Sequence, residues 1–443
     1  MKINDEFEVT IDDFSNLAKG VTRIDGQVVF VDNACPDDVV KIKINHVNKN
    51  YADADITEII KPSKYRVEPF CPMQKVCGAC QMQYIDYDYQ LELKHKIVID
   101  VMKKIGGIDT EVNFPIRSPK TKNYRQKIQY PAGQTKNSKR ILAGYYKPQS
   151  HDIVNIKYCP IQPEICDKIV DFIRENFPKN YGKDLRHIVI RGSEYSSEYL
   201  VTLVVKREFN GLKDFAESLF NEFKAIKGVC INLNDKNTNV ILSDKTKCFA
   251  GESFIEEKIL DKVFKIGANT FFQVNPKSAE NIFKYVRDEI AKSENPAVLD
   301  AYAGIAVFGA VVSDVAKSVV SVEENRQSVE LAQDVLKMNN IDNVELYNND
   351  TLKYLKSIKR KFDTVILDPP RKGCTDEVLD EVLNHLHKNS EKSGKIIYVS
   401  CNPATLARDL KYLKSKGCTI ESLQPFDMFC HTYHIETVAV ITL

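Results

Sequence analysis

The sequence predicts a multidomain α/β protein in three parts: a small N-terminal antiparallel β-barrel, a central α+β region carrying a cysteine cluster, and a C-terminal parallel sheet wound with helices on both faces. Three observations predict it. From about residue 296, short apolar strands alternate strictly with amphipathic stretches, the pattern of a doubly wound sheet. Residues 1–60 instead carry short runs such as VVFV (28–31) and VVKIKI (39–44) around DNACPDD, the pattern of a small barrel. Between the two, the character changes at Pro62, just before three cysteines fall within ten residues. The expected domains are therefore 1–61, 62–265 and 266–443.

Composition bounds the function classes. An apolar share of 43% and a charged share of 28% are globular values, which argue against disorder. A net charge of +1 removes any whole-chain argument for polyanion binding, so local charge must carry it. An acidic N-terminus without an apolar core, and no apolar run of membrane-spanning length, lead to the expectation of a cytoplasmic protein with no membrane partner. We expect it to act as a monomer. In that compartment the twelve cysteines are expected as reduced thiols, some of them free to ligate or catalyse.

Residues 1–60 carry twice as many acidic as basic side chains. The segment GVTRIDGQVVFVDNACPDD resembles the TRAM module, an OB-like RNA-binding barrel, with Asp38 where that module usually has glycine. In the second domain, YDYQLELKHKIVIDVMKKIGG reads as a helix closed by Gly106 and Gly107. Residues 117–147 follow, with nine Lys and Arg and no Asp or Glu, interleaved with Tyr124, Tyr130, Tyr145 and Tyr146. Cations neutralise phosphates and aromatic faces stack on unpaired bases, so this stretch is the best candidate RNA surface; a solvated lysine-rich hairpin is the bland alternative.

In an open parallel sheet, ligands bind beyond the carboxyl ends of the strands. The polar residues there are Asp300 with Tyr302 and Gly304, then Glu323, Asp350 and Asp368. Glu323, some twenty residues after the first loop, is placed to accept both ribose hydroxyls of a nucleoside. The loop DAYAGIAVFG lacks the full glycine spacing of dinucleotide folds, which favours a cofactor without pyrophosphate. S-adenosylmethionine fits.

The decisive segments are VILDPPR (365–371) and YVSCNPATLARDL (398–410). The second places Cys401 at a strand tip, before a helix whose dipole is expected to lower the thiol pKa. With the C-terminal HTYHIETVAVI (431–441), these motifs resemble the RNA uridine-5-methyltransferase family along essentially the whole chain. The resemblance implies an OB-like TRAM barrel, a cluster-bearing central domain and a Rossmann-like S-adenosylmethionine-dependent methyltransferase domain. It implies that Cys401 adds to carbon 6 of uracil and that Glu436 removes the carbon-5 proton. GANTFFQVNP (267–276) resembles the segment in which Gln273 contacts cofactor or base and Phe271 or Phe272 packs on the ring. Tyr302, Gly304, Glu323 and Asp368 line the cofactor and base pocket by the same likeness. Ala306 stands where the family loop usually has glycine, and Cys430 where proline precedes the His-Thr pair. His431 and His434 are expected to shape the pocket.

Cys71, Cys77 and Cys80, with Cys159 far downstream, have a spacing that could hold an iron-sulfur cluster or zinc. The resemblance implies a 4Fe-4S cluster that staples the basic segment to the start of its domain. It also implies RNA as partner, with 23S rRNA favoured by the pairing of barrel and cluster. The alternatives are a tRNA uridine-5-methyltransferase and a catalytically idle RNA-binding or ribosome-assembly protein.

Overall fold

The structure, a computed structural model, describes residues 1–236, 238–389 and 392–443. Its N-terminal six-stranded sheet closes on Val40, Ile42 and Ile44, which alternate with Lys41 and Lys43 along Val39–Val47, so that the apolar face meets Ile11, Val29 and Val31 inside. The barrel is not wholly antiparallel: Gln27–Asp32 pairs parallel with Tyr51–Lys61. Asp38 is fully buried and accepts from the backbone N–H of Cys35 (2.7 Å) and of Ser63 (2.8 Å), and it pairs with Arg66. The residue that departs from the TRAM pattern thus ties the barrel to the segment leaving it.

The middle of the chain forms a second six-stranded sheet, with Lys127–Gln134 and Leu185–Gly192 near one edge and helices Glu164–Asn176 and Leu212–Glu222 packed in the same core. Two segments expected with this region pack elsewhere. Val98 and Met102, at the end of helix Tyr87–Val101 and just beyond it, join the core of the C-terminal sheet. The hairpin Phe254–Ile259 and Lys262–Gly267 buries Ile255 and Phe264 against that sheet's other face.

The C-terminal sheet has seven strands: β1 (Ala297–Ala301), β2 (Ser318–Glu323), β3 (Val344–Asn348), β4 (Thr364–Leu367), β5 (Lys395–Ser400), β6 (Thr419–Phe426) and β7 (Glu436–Thr442). Their spatial order is β3-β2-β1-β4-β5-β7-β6. The first five in that order are parallel, as expected, but β7 is antiparallel to both β5 and β6. The strands inside the two edges are buried on both faces, so neighbours such as Val298 and Leu299 enter opposite cores.

One ion pair joins these parts. Lys94 on helix Tyr87–Val101 and Asp427 after β6 are both fully buried, 2.6 Å apart. Asp427 also accepts from Tyr87 Oη (2.8 Å), and Lys94 Nζ donates to the Phe429 carbonyl (3.1 Å). Removing one partner leaves an uncompensated buried charge, so Lys94→Met should lower stability by about 3–5 kcal/mol. The double change Lys94→Met with Asp427→Leu should recover most of it. Denaturant titration of the two variants checks both expectations.

Candidate active site

The carboxyl ends of the parallel strands and the amino end of β7 open into one cleft enclosing about 1870 Å³. Gln273, Tyr302, Gly304, Glu323, Asp368, Cys401 and Glu436 all line it. Strand register brings the last two together. Ser400 on β5 pairs with Thr437 on β7, so Cys401 just beyond one strand and Glu436 at the start of the other meet at the same end of the sheet, near enough for the Glu436 charge to act on the thiol.

The loop after β1 is coiled by left-handed residues: Tyr302, Gly304 and Ala306 have φ of 65°, 57° and 56°. Alanine adopts the conformation in place of glycine, at a cost of about 1–2 kcal/mol, while Ala306 N–H donates to the Ala303 carbonyl (2.8 Å). The coil aims Gly304 N–H at Glu323 Oε2 (2.9 Å), and Asn325 N–H binds Oε1 (2.8 Å). Each carboxylate oxygen has two acceptor sites, so Glu323 is oriented by the backbone and still has capacity for two hydroxyl donors.

Burial dominates the electrostatics. It pushes Asp368 up to about 7 and Glu436 up to about 8, with the Asp368 charge adding to the rise at Glu436. Helix Pro403–Ser415 begins where the sequence places it, capped by Asn402. The Cys401 thiol is nevertheless pushed up to about 11, first by burial and then by Glu436, with Asp368 adding to the rise and Arg371 and the residue's own backbone N–H opposing it. The expectation of a lowered thiol pKa is therefore corrected: desolvation and two carboxylates outweigh the groups that favour the thiolate.

Other residues sort differently from expectation. Asp300 faces away from the cleft, fully buried, accepting from Gly309 N–H and Ser321 Oγ at 3.0 Å each. Phe271 lines the cleft and is 62% exposed, whereas Phe272 belongs to the core. His434 lines the cleft, and burial pushes it down to about 4, so it is neutral. His431 does not; it is bound by Gln90 Nε2 (3.2 Å) and the Thr121 carbonyl (3.0 Å), bracing the loop from behind. Sequence reasoning missed Asn349, Leu352 and Phe429, which also line the cleft. The end of β3 was the signal for the first two; nothing local marks Phe429.

The basic stretch is only partly a surface. Tyr124 and Tyr130 are fully buried, and burial with Arg191 and Arg125 nearby pushes Lys127 down to about 7. Arg117, Lys120, Lys122, Lys136, Lys139, Arg140 and Lys147 remain exposed. Tyr145 instead lines a small pocket shared by Cys71, Cys77, Cys80 and Cys159. Gly78 N–H donates to the Tyr146 carbonyl (3.0 Å), tying the cysteine loop to this stretch. Among the described residues, no three His, Cys, Asp or Glu side chains converge on one metal-ion position. Cys230 and Cys248 lie opposite each other on adjacent strands and line a separate pocket with Gly267 and Thr270 of the GANTFFQVNP segment.

Residues 86–442 match the family model described as tRNA (Uracil-5-)-methyltransferase, and residues 2–57 match the TRAM domain. The chain belongs to this uracil-5-methyltransferase family. It is an S-adenosylmethionine-dependent RNA methyltransferase with an N-terminal TRAM domain. It is 34% identical to an uncharacterized RNA methyltransferase of Oceanobacillus iheyensis, over 99% of this chain and 97% of that one. It is 35% identical to another from Clostridium acetobutylicum, over 100% and 98%. Among solved structures, the Pyrococcus abyssi tRNA (uracil-54, C5)-methyltransferase in complex with S-adenosyl-L-homocysteine superposes with a TM-score of 0.76 at 26% identity, over 98% of this chain and 100% of that one. Among the described residues, no helix is long and apolar enough to cross a membrane.

Glu436 is largely neutral at pH 7 and charged at pH 9, and its charge holds the thiol up. Glu436→Gln should therefore alkylate faster than wild type at Cys401, with the gap widening as pH rises through 8. Site-resolved mass spectrometry after iodoacetamide treatment measures it; equal rates across that range would show that Glu436 does not set the thiol's pKa.

Proposed function

We propose that this enzyme methylates carbon 5 of a uridine through a covalent adduct on Cys401, with Glu436 as the base that releases the product. The observation that carries this reading is the placement of a thiol and a buried carboxyl at the same end of the sheet, in the cleft that also holds Glu323. The cleft suits the cofactor: Glu323 keeps acceptor capacity for ribose hydroxyls, Leu352 and Val378 offer apolar walls for a flat base, and the buried carboxyls favour a cationic group. S-adenosylmethionine supplies an electrophilic methyl group on a positively charged sulfur.

The chain's own residues do the rest. Carbon 5 of uracil is a weak nucleophile; addition of the Cys401 thiolate to carbon 6 moves the ring's electron pair to carbon 5 as an enolate. Once carbon 5 carries a methyl group, Glu436 takes its remaining proton. That electron pair restores the ring double bond, the carbon–sulfur bond breaks, and the thiolate leaves. A carboxyl pushed up by burial is a stronger base than an exposed one, which suits a carbon acid.

We propose 23S rRNA as the substrate, because the resemblance pairs the barrel and the cysteine quartet with ribosomal RNA. A tRNA uridine is the second reading, favoured by the name of the P. abyssi relative. Mapping 5-methyluridine by mass spectrometry in rRNA and tRNA from a deletion strain decides between them. For the mechanism, Glu436→Gln should accumulate a denaturation-resistant protein–RNA adduct bearing the labelled methyl group, and Cys401→Ala should form none. Normal turnover by either variant removes that residue from its role.

The four cysteines are proposed to hold a 4Fe-4S cluster. What supports the reading is that Cys159 is brought to the same pocket as Cys71, Cys77 and Cys80. Four thiols from two distant segments around one pocket suit an iron-sulfur cluster as their shared ligand. Anaerobically purified protein should be brown, with about four iron per chain, and Cys80→Ser should lose the colour. Stoichiometric zinc without visible absorbance would contradict the assignment.

A further inference from the structure

A second groove adjoins the catalytic cleft and is built by three distant parts of the chain. It encloses about 720 Å³, and Cys401, Arg371 and His434 line both it and the cleft. Its apolar walls include Leu17 of the TRAM barrel, Ile97 and Val101 of helix Tyr87–Val101, Pro403 at the start of the following helix, and Tyr433, with Asn16 and Asn402 as polar groups beside them. Apolar walls with a few polar groups at the rim describe a site for a flat heterocycle.

The barrel presents Leu17 deliberately. Ser15 N–H donates to the Lys19 carbonyl (2.8 Å), and Ser15 Oγ accepts from the N–H groups of Leu17 (3.3 Å) and Lys19 (3.0 Å). Lys19 Nζ is fixed by Asp53 (2.9 Å) and Asp32 (3.1 Å). Ala18, left-handed at φ 59°, is buried in a cluster with Met82 and Ile97, and Tyr433 packs against that cluster. A tightly tied turn thus anchors Ala18 while leaving Leu17 58% exposed at the groove. Across from it, the Tyr433 and His434 rings lie 4.3 Å apart, forming an aromatic wall.

Resting on the reading of this cleft as a uridine site, we infer that the groove is a second nucleotide subsite, which holds the base next to the target between Leu17 and Tyr433. The argument for this occupant is continuity. A uridine at Cys401 carries its neighbour on the same sugar-phosphate chain, and this groove shares the Cys401 wall. Arg371, exposed and without an ion-pair partner among the described residues, stands at the junction where the connecting phosphate would pass. Base stacking on apolar and aromatic groups tolerates any base, and holding the neighbour aside keeps the target out of the stack. The TRAM barrel thereby acts inside the active site as well as on the RNA at large.

The test uses the full-length protein and a short synthetic RNA carrying the mapped uridine, in three forms: intact, abasic one nucleotide 5′ of the target, and abasic one nucleotide 3′. On intact RNA, Leu17→Ala should lower kcat/KM about tenfold, and Leu17→Phe should restore it. On one of the two abasic RNAs, wild type should show the same loss, and Leu17→Ala should add less than about twofold, as expected when both changes remove one contact. If Leu17→Ala costs the same factor on all three RNAs, or nothing on the intact one, the groove is not a base subsite. If wild type leaves the intact RNA unmethylated, the uridine reading falls first and this inference with it.

Discussion

The buried Lys94–Asp427 pair is the interaction on which the active site depends. The loop from Asp427 to Ile435 must deliver Phe429 and His434 to the cleft and start β7 so that Glu436 falls at the same end of the sheet as Cys401. A loop has no ladder of its own to set its path, so the path is set by contacts at its root. Asp427 binds Lys94 and Tyr87, its carbonyl accepts from Ser278 Oγ (2.9 Å), and Asn275 Nδ2 donates to the Met428 carbonyl (3.1 Å). Two fully desolvated charges tolerate little displacement, because each ångström of separation in a low-dielectric interior is costly. The pair therefore acts as a positional lock more than as a source of net stability.

The cleft itself is electrostatically unfinished. Asp368 and Glu436 are buried close enough for one charge to disfavour the other, and Cys401 faces both. Protonation relieves the conflict, and a bound cation would relieve it differently, by favouring the ionised carboxylates. Binding of a positively charged ligand and the protonation of these groups are thus linked.

The cysteine loop and the barrel support this centre from behind. Met82 N–H donates to the His431 carbonyl (2.9 Å), and Tyr124 Oη donates to the Cys430 carbonyl (3.1 Å). Cys430, at the position where the family usually has proline, is fully buried among Tyr124, Val154 and Cys159. The same apolar cluster that walls the cysteine cavity therefore backs the loop before β7, which gives a structural use to cysteines that methyl transfer does not need.

The alternation of strands and helices, the order of acidic residues at strand ends, and the barrel's period-two pattern were all legible in the sequence, because each depends on chemistry within a few residues. The motif residues Gln273, Tyr302, Gly304, Glu323, Asp368, Cys401 and Glu436 were legible for the same reason. Burial was not. Tyr124, Tyr130 and Lys127 look like a nucleic-acid surface until the fold covers them, and the Cys401 thiol looks activated until two remote carboxyls are packed beside it. Nor could spacing reveal that helix Tyr87–Val101 belongs to the catalytic core, or that β7 inserts antiparallel beside β5. The sequence by itself determined which chemical groups stand at strand ends; only the tertiary structure decided which of them face one another and how far from water, since register and desolvation are set by residues hundreds of positions apart.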